Sequence, residues 1–99
     1  QETKWGEISL CDAERRLLAN ALLDASNERF ILLSESCIPL YNFTVIYDYV
    51  IDSEYSFVDS SSNFTPETYR RYDDRMQPEV RISDFRKGSQ WFEVNRSLA

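Results

Sequence analysis

Apolar residues first recur at helical spacing at Leu17, Leu18, Ala21 and Leu22, with Glu14, Arg15, Arg16 and Asn20 mostly on the opposite face. Asp12 is placed to cap this helix, and Glu14 suits the first turn of a helix dipole. The pattern predicts a helix over 13–25, closed by the Ser26-Asn27 turn. A short apolar run, 29–34, follows between polar residues. It reads as a strand buried on both faces, as in a parallel sheet covered by helices. Pro39 then ends regular structure and stiffens the exit loop. A second helix is expected from Asn42 or Thr44 to Ile51, with Val45, Ile46, Tyr49 and Val50 inward.

The second half is more broken. Residues 55–59 read as a short strand and 60–66 as a loop. The charged stretch 66–76 fits a short helix with Pro66 in its first turn. Residues 81–85 match neither period, Gly88 marks a tight backbone position, and 90–94 reads as a third strand. Asn95 can cap a helix after it. Alternation of helix and strand predicts an α/β layered fold, a mostly parallel sheet flanked by helices. At 99 residues the chain is one domain at most. Its opening on Gln1 and its close at Ala99, where a helix is beginning, lead us to expect an internal segment (1–99) of a single domain, truncated at both ends.

Composition narrows the function. Hydrophobic residues make up 42% of the chain, with six Tyr, six Phe and two Trp, which excludes a disordered segment. A net charge of −6 argues against nucleic-acid binding and against docking on an anionic membrane. No apolar run reaches membrane-spanning length, so any anchor is expected outside these residues. There is no histidine, and Cys11 and Cys37 form no CxxC pair, so neither a structural zinc site nor a histidine triad is expected. Two buried free thiols are the expected state of the cysteines, with a disulfide as the alternative. Sequons at Asn42, Asn63 and Asn95 hint at a lumenal chain. Asn63, after a serine run, is the first glycosylation candidate and Asn42 the second; Asn42 and Asn95 can equally be helix caps.

In open parallel sheets ligands bind outside the carboxyl ends of the strands. That rule points to 34–37, 59–62 and 94–96. Ser34, Glu35 and Ser36 are either a plain polar loop or part of a substrate cleft. Gly88 and Ser89 can bring backbone N–H groups close to a ligand, with Gln90 next to them. Trp91 is either core or a platform for a pyranose ring, whose apolar face suits an indole. Arg70, Arg71, Arg75, Arg81, Arg86 and Lys87 crowd the stretch before the last strand. They are either a mixed-charge surface or donors to an anionic diphosphate or polar glycan. No Asp-x-Asp occurs to clamp a metal and a diphosphate.

Three blocks resemble one family. Trp5-Gly6-Glu7-Ile8-Ser9-Leu10-Cys11-Asp12-Ala13-Glu14-Arg15-Arg16-Leu17-Leu18 is the first. Phe30-Ile31-Leu32-Leu33-Ser34-Glu35-Ser36-Cys37-Ile38-Pro39-Leu40 is the second. Arg71-Tyr72, Arg75-Met76 and Pro78, followed by Arg86-Lys87-Gly88-Ser89-Gln90-Trp91-Phe92, form the third. In this order they resemble the plant group of the Core-2/I-branching β-1,6-N-acetylglucosaminyltransferases, the glycosyltransferase family 14-like Branch domain. The resemblance implies a GT-A-like nucleotide-sugar transferase fold, a type II Golgi membrane anchor and a lumenal catalytic domain. It also implies metal-independent inverting transfer of a sugar, GlcNAc by analogy, from a UDP-sugar to a glycan acceptor, with no cofactor.

In animal relatives the second block reads Ser-Gly-Gln-Asp-Phe-Pro and the third Gly-Ser-Ala-Tyr-Phe, so Cys37, Gln90 and Trp91 depart from them. Glu67, Arg70 and Arg71 are the nearest candidates for the family's acceptor-binding charges. The family's general base, a Glu in an Asp-Glu motif, is expected downstream of Ala99, so these residues alone are expected to be inactive. A non-catalytic sugar-binding or scaffold protein with the same fold is the competing reading, and an acidic interaction module a third. A piece of a parallel sheet would leave open edges and bare helix faces, so poor solubility is expected of the isolated segment.

Overall fold

A computed structural model describes residues 2–62 and 65–99. Helix α1 (Ile8–Leu22) is followed by strand β1 (Arg29–Ile31), helix α2 (Phe43–Ile51) and strand β2 (Phe57–Val58). A short helix α3 (Pro66–Arg71), a 3-10 turn (Asp74–Met76) and strand β3 (Phe92–Asn95) complete the chain. The α/β alternation expected from the sequence is present.

The expected parallel sheet is not. The strand order is β1-β3-β2, and β3 pairs antiparallel with both neighbours. Phe30 faces Val94 across one pair and Val58 faces Phe92 across the other. The β1-α2-β2 passage does return the chain in the same direction, as a helical crossover does. The slot between those two strands is filled by β3, arriving from the far end of the sequence. An apolar run reports burial and is silent on strand direction, which is why the sequence misled. Burial agrees with the observed order: Val94 and Glu93 on the central strand are 6% and 8% exposed, while both residues of β2 are exposed.

Several element boundaries have local causes. Gly6 adopts a left-handed φ of 79°, which turns the chain so that α1 starts at Ile8 instead of residue 13. Asp12 therefore lies inside the helix and caps nothing; the N-cap is Glu7, without a side-chain cap bond. The helix ends at Leu22, where Asn27 Nδ2 donates to the Ala21 carbonyl at 2.9 Å. Asn42 does cap α2, its Oδ1 accepting from Val45 N–H at 3.0 Å. Thr65 caps α3 in the same way, and Pro66 sits in that helix's first turn as expected. Asn95 accepts from Leu98 N–H at 3.0 Å, but only a turn follows β3, not the helix expected there.

The helices cover the sheet thinly. Leu18, Ala21 and Leu22 of α1 are half-buried, but Leu17 is exposed. On α2, Ile46 and Val50 are half-buried, whereas Val45 and Tyr49, expected inward, are exposed. Among the described residues only Phe30 and Val94 are buried apolar side chains. The radius of gyration is 16.0 Å, against about 13 Å for a compact chain of this length. Cys11 and Cys37 are free as expected, but both are exposed rather than buried.

Candidate functional site

The antiparallel β3 rearranges which segments are neighbours. Ile31 faces Glu93 and Val58 faces Phe92, so the exits of β1 and β2 lie at the same sheet edge as the entry to β3. Segments 34–37, 59–61 and 88–91 therefore share one edge. The third place expected from the sequence, 94–96, lies at the opposite edge. There Arg96 donates to the carbonyls of Leu22 (2.7 Å), Asp24 (3.0 Å) and Asn27 (2.9 Å) and closes the end of α1. Its role is structural.

At the β1 exit the chain makes a tight turn, with Cys37 N–H donating to the Ser34 carbonyl at 3.2 Å. The Ser34 and Ser36 hydroxyls are 3.0 Å apart. Ser34 also approaches the Cys37 sulfur, from its hydroxyl at 3.4 Å and from its N–H at 3.3 Å. The Ser34 hydroxyl and then its N–H hold the Cys37 thiol below its ordinary pKa, against burial and the charge of Glu35. Glu35 and Ser36 are exposed.

At the β2 exit, Ser61 and Lys87 exchange backbone hydrogen bonds of 2.6 and 3.1 Å. This bridge pins the 87–89 segment beside 59–61. A Cβ on Gly88 would collide with the Asp59 carbonyl oxygen, so the close approach admits only glycine, in agreement with the sequence expectation. Asp59 Oδ2 accepts from Ser89 N–H at 2.8 Å, and Ser89 Oγ from Trp91 N–H at 3.3 Å. Trp91 is 42% exposed, and Gln90 is exposed beside it. Asp59, Ser61, Lys87, Gly88 and Ser89 line an open polar cleft of about 370 Å³, with Thr65 and Thr68 of the α3 start opposite.

Gly88 and Ser89 are thus gathered with Asp59, while Ser34, Glu35 and Ser36 share the edge but not the cleft. Glu67, Arg70 and Arg71 lie on α3, all exposed, and none lines the cleft. Elsewhere in the basic stretch, Arg75 is held by Asp73 at 2.6 Å, and Arg86 donates to the carbonyls of Ser83 and Phe85. Lys87 is the one cation of that stretch at the cleft. Asn42 is exposed at the α2 cap, and the candidate glycosylation residue Asn63 lies outside the described residues.

Asp59 was not singled out by the sequence. Its segment reads as a strand exit, but its partner is thirty residues away. A larger open groove of about 430 Å³ lies between α1 and Phe30, Leu32 and Phe92, with mostly apolar walls. Among the described residues no three His, Cys, Asp or Glu side chains gather in a metal-binding group. The chemistry available at the edge is that of hydroxyls, the carboxylates of Asp59 and Glu35, the Lys87 ammonium, the Cys37 thiol, a turn of backbone amides and an indole.

The family model described as Core-2/I-Branching enzyme matches residues 1–99. Glycosyltransferase BC10 of Oryza sativa subsp. japonica is 49% identical over 98 residues, which is 99% of this chain and 24% of that protein. The chain therefore spans about a quarter of the length of this curated relative. No solved structure is significantly similar.

Proposed function

The chain belongs to the Core-2/I-branching enzyme family, and from that premise we propose that it forms part of the catalytic domain of a glycosyltransferase. The reaction is inverting transfer of a sugar from a UDP-sugar to a hydroxyl of a glycan acceptor, without a metal. The observation that carries this reading is the meeting of the 88–91 turn with the exits of β1 and β2 at one sheet edge. Two of the blocks that resemble the family, from distant parts of the chain, lie at that edge beside the exit of β2. An exposed indole beside a polar cleft suits a sugar, which offers an apolar ring face and a rim of hydroxyls.

In this reading Trp91 stacks on a pyranose, Ser89 and Lys87 donate to sugar or phosphate oxygens, and the Ser34 turn borders the donor. Glu67, Arg70 and Arg71 reach toward the acceptor from α3. The parallel directions of β1 and β2 are compatible with a larger GT-A-like sheet in which β3 is a reversed strand. Inverting transfer needs a base within hydrogen-bond reach of the acceptor hydroxyl. Asp59 is engaged by Ser89, and in this reading the base is the Glu of an Asp-Glu motif outside these residues. No helix among the described residues is long and apolar enough to cross a membrane, so the Golgi anchor of this reading also belongs to another segment.

The test is transfer and hydrolysis by the full-length protein over UDP-GlcNAc, UDP-GlcA, UDP-Gal and UDP-Xyl, with chelator present. Turnover of one donor is the expected result and names the sugar. A folded protein inert toward every donor would favour a sugar-binding or scaffold role instead.

A further inference from the structure

Asp59 holds the 88–91 turn in two ways at once. Its carboxylate accepts from Ser89 N–H at 2.8 Å, and its own carbonyl lies against Gly88, where no side chain fits. Ser89 passes the constraint on, because its hydroxyl accepts from Trp91 N–H at 3.3 Å. A continuous path of contacts thus runs from the exit of β2 to the backbone of the exposed indole. The first link is a backbone N–H to carboxylate hydrogen bond, a class shorter and stronger than neutral pairs.

We infer that Asp59 is a positioning residue: through Ser89 it sets the backbone that presents Trp91 to the sugar substrate. This rests on the glycosyltransferase reading above and adds to it a residue that acts without touching the sugar. The geometry explains why the effect falls on binding more than on folding. Ser89 is exposed, so its N–H turns to water when the carboxylate is removed. The turn then gains freedom, and small misplacements of a substrate-positioning group are costly.

The experiment uses the full-length enzyme with the donor on which the wild type turns over, and the variants Asp59→Ala, Asp59→Asn, Trp91→Ala and the Asp59→Ala/Trp91→Ala pair. Asp59→Ala is expected to raise, roughly tenfold, the KM for the same sugar substrate whose KM rises in Trp91→Ala. Asp59→Asn keeps an oxygen acceptor and is expected to recover most of the loss. In the Trp91→Ala background the Asp59 change is expected to add little, as for two residues acting on one contact. Hydrogen exchange of the Ser89 and Trp91 amides, measured without substrate, is expected to quicken in Asp59→Ala.

Full additivity of the two alanine changes would overturn the inference, as would a fall in kcat at unchanged KM. A wild type that is folded but turns over no sugar sinks the transferase reading alone. The amide exchange still decides whether Asp59 holds the turn, and unchanged exchange in Asp59→Ala overturns it.

Discussion

The two edges of the three-stranded sheet are built from the same kinds of residue and put to opposite uses. At one edge, arginines are consumed by the fold. Arg29 reaches Glu93 at 3.3 Å and the carbonyls of Tyr55 and Ser53, while Arg96 closes the end of α1. At the other edge Lys87 and Ser89 line a cleft, held in place by backbone contacts, and Trp91 stays exposed two residues further on. An edge whose cations are already bonded to carbonyls has nothing to offer a ligand. Sequence reasoning weighed the two edges alike because a strand exit looks the same at either.

The contrast can be broken from the fastened side first. Arg29 and Glu93 are nearly buried, and removing one member leaves a charge without its partner. Arg29→Ala is expected to destabilise the full-length protein by about 3–5 kcal/mol, read as a lowered denaturation midpoint, and to reduce activity only through loss of folded protein. At the open edge, Gly88→Ala drives a Cβ into the Asp59 carbonyl. The expected cost to stability is smaller, roughly 1–3 kcal/mol, but the molecules that stay folded should lose sugar binding. Stability and KM measured on the same two variants should therefore rank them in opposite order, and the same ranking by both would erase the distinction between the edges.

The smallest effect sharpens the comparison within the open edge. Cys37 is exposed, with its thiol held below its usual pKa by Ser34. In Ser34→Ala the thiol pKa rises, less thiolate is present at neutral pH, and alkylation of Cys37 should slow modestly, since the backbone N–H donor remains. Mass-spectrometric rates across pH 6–9 check the sign, with the difference fading once the pH exceeds the raised pKa (roughly, above an ordinary thiol value).

What the sequence disclosed was local. Asn42 as a cap, Pro66 in a first turn and Gly88 as a close approach each depend on a few adjacent residues and were found where expected. What it hid was relational. Val45 and Tyr49 are apolar at inward spacing, yet they stand exposed, because the sheet offers α2 too little surface. The direction of β3 and the pairing of Asp59 with Ser89 depend on which distant segment arrives alongside, and no periodicity encodes that.

The central place of β3 has a consequence for how the protein is made. The strand that joins the other two is the last of the three to leave the ribosome. Until it emerges, β1 and β2 have no partner in this sheet, because neither pairs with the other. Helices α1 and α2 can form early from local contacts, but the sheet must wait for pairings of long sequence separation, which close slowly. During that wait the nascent chain carries bare strand edges and apolar helix faces, the condition in which growing chains are most exposed to aggregation and most dependent on chaperones.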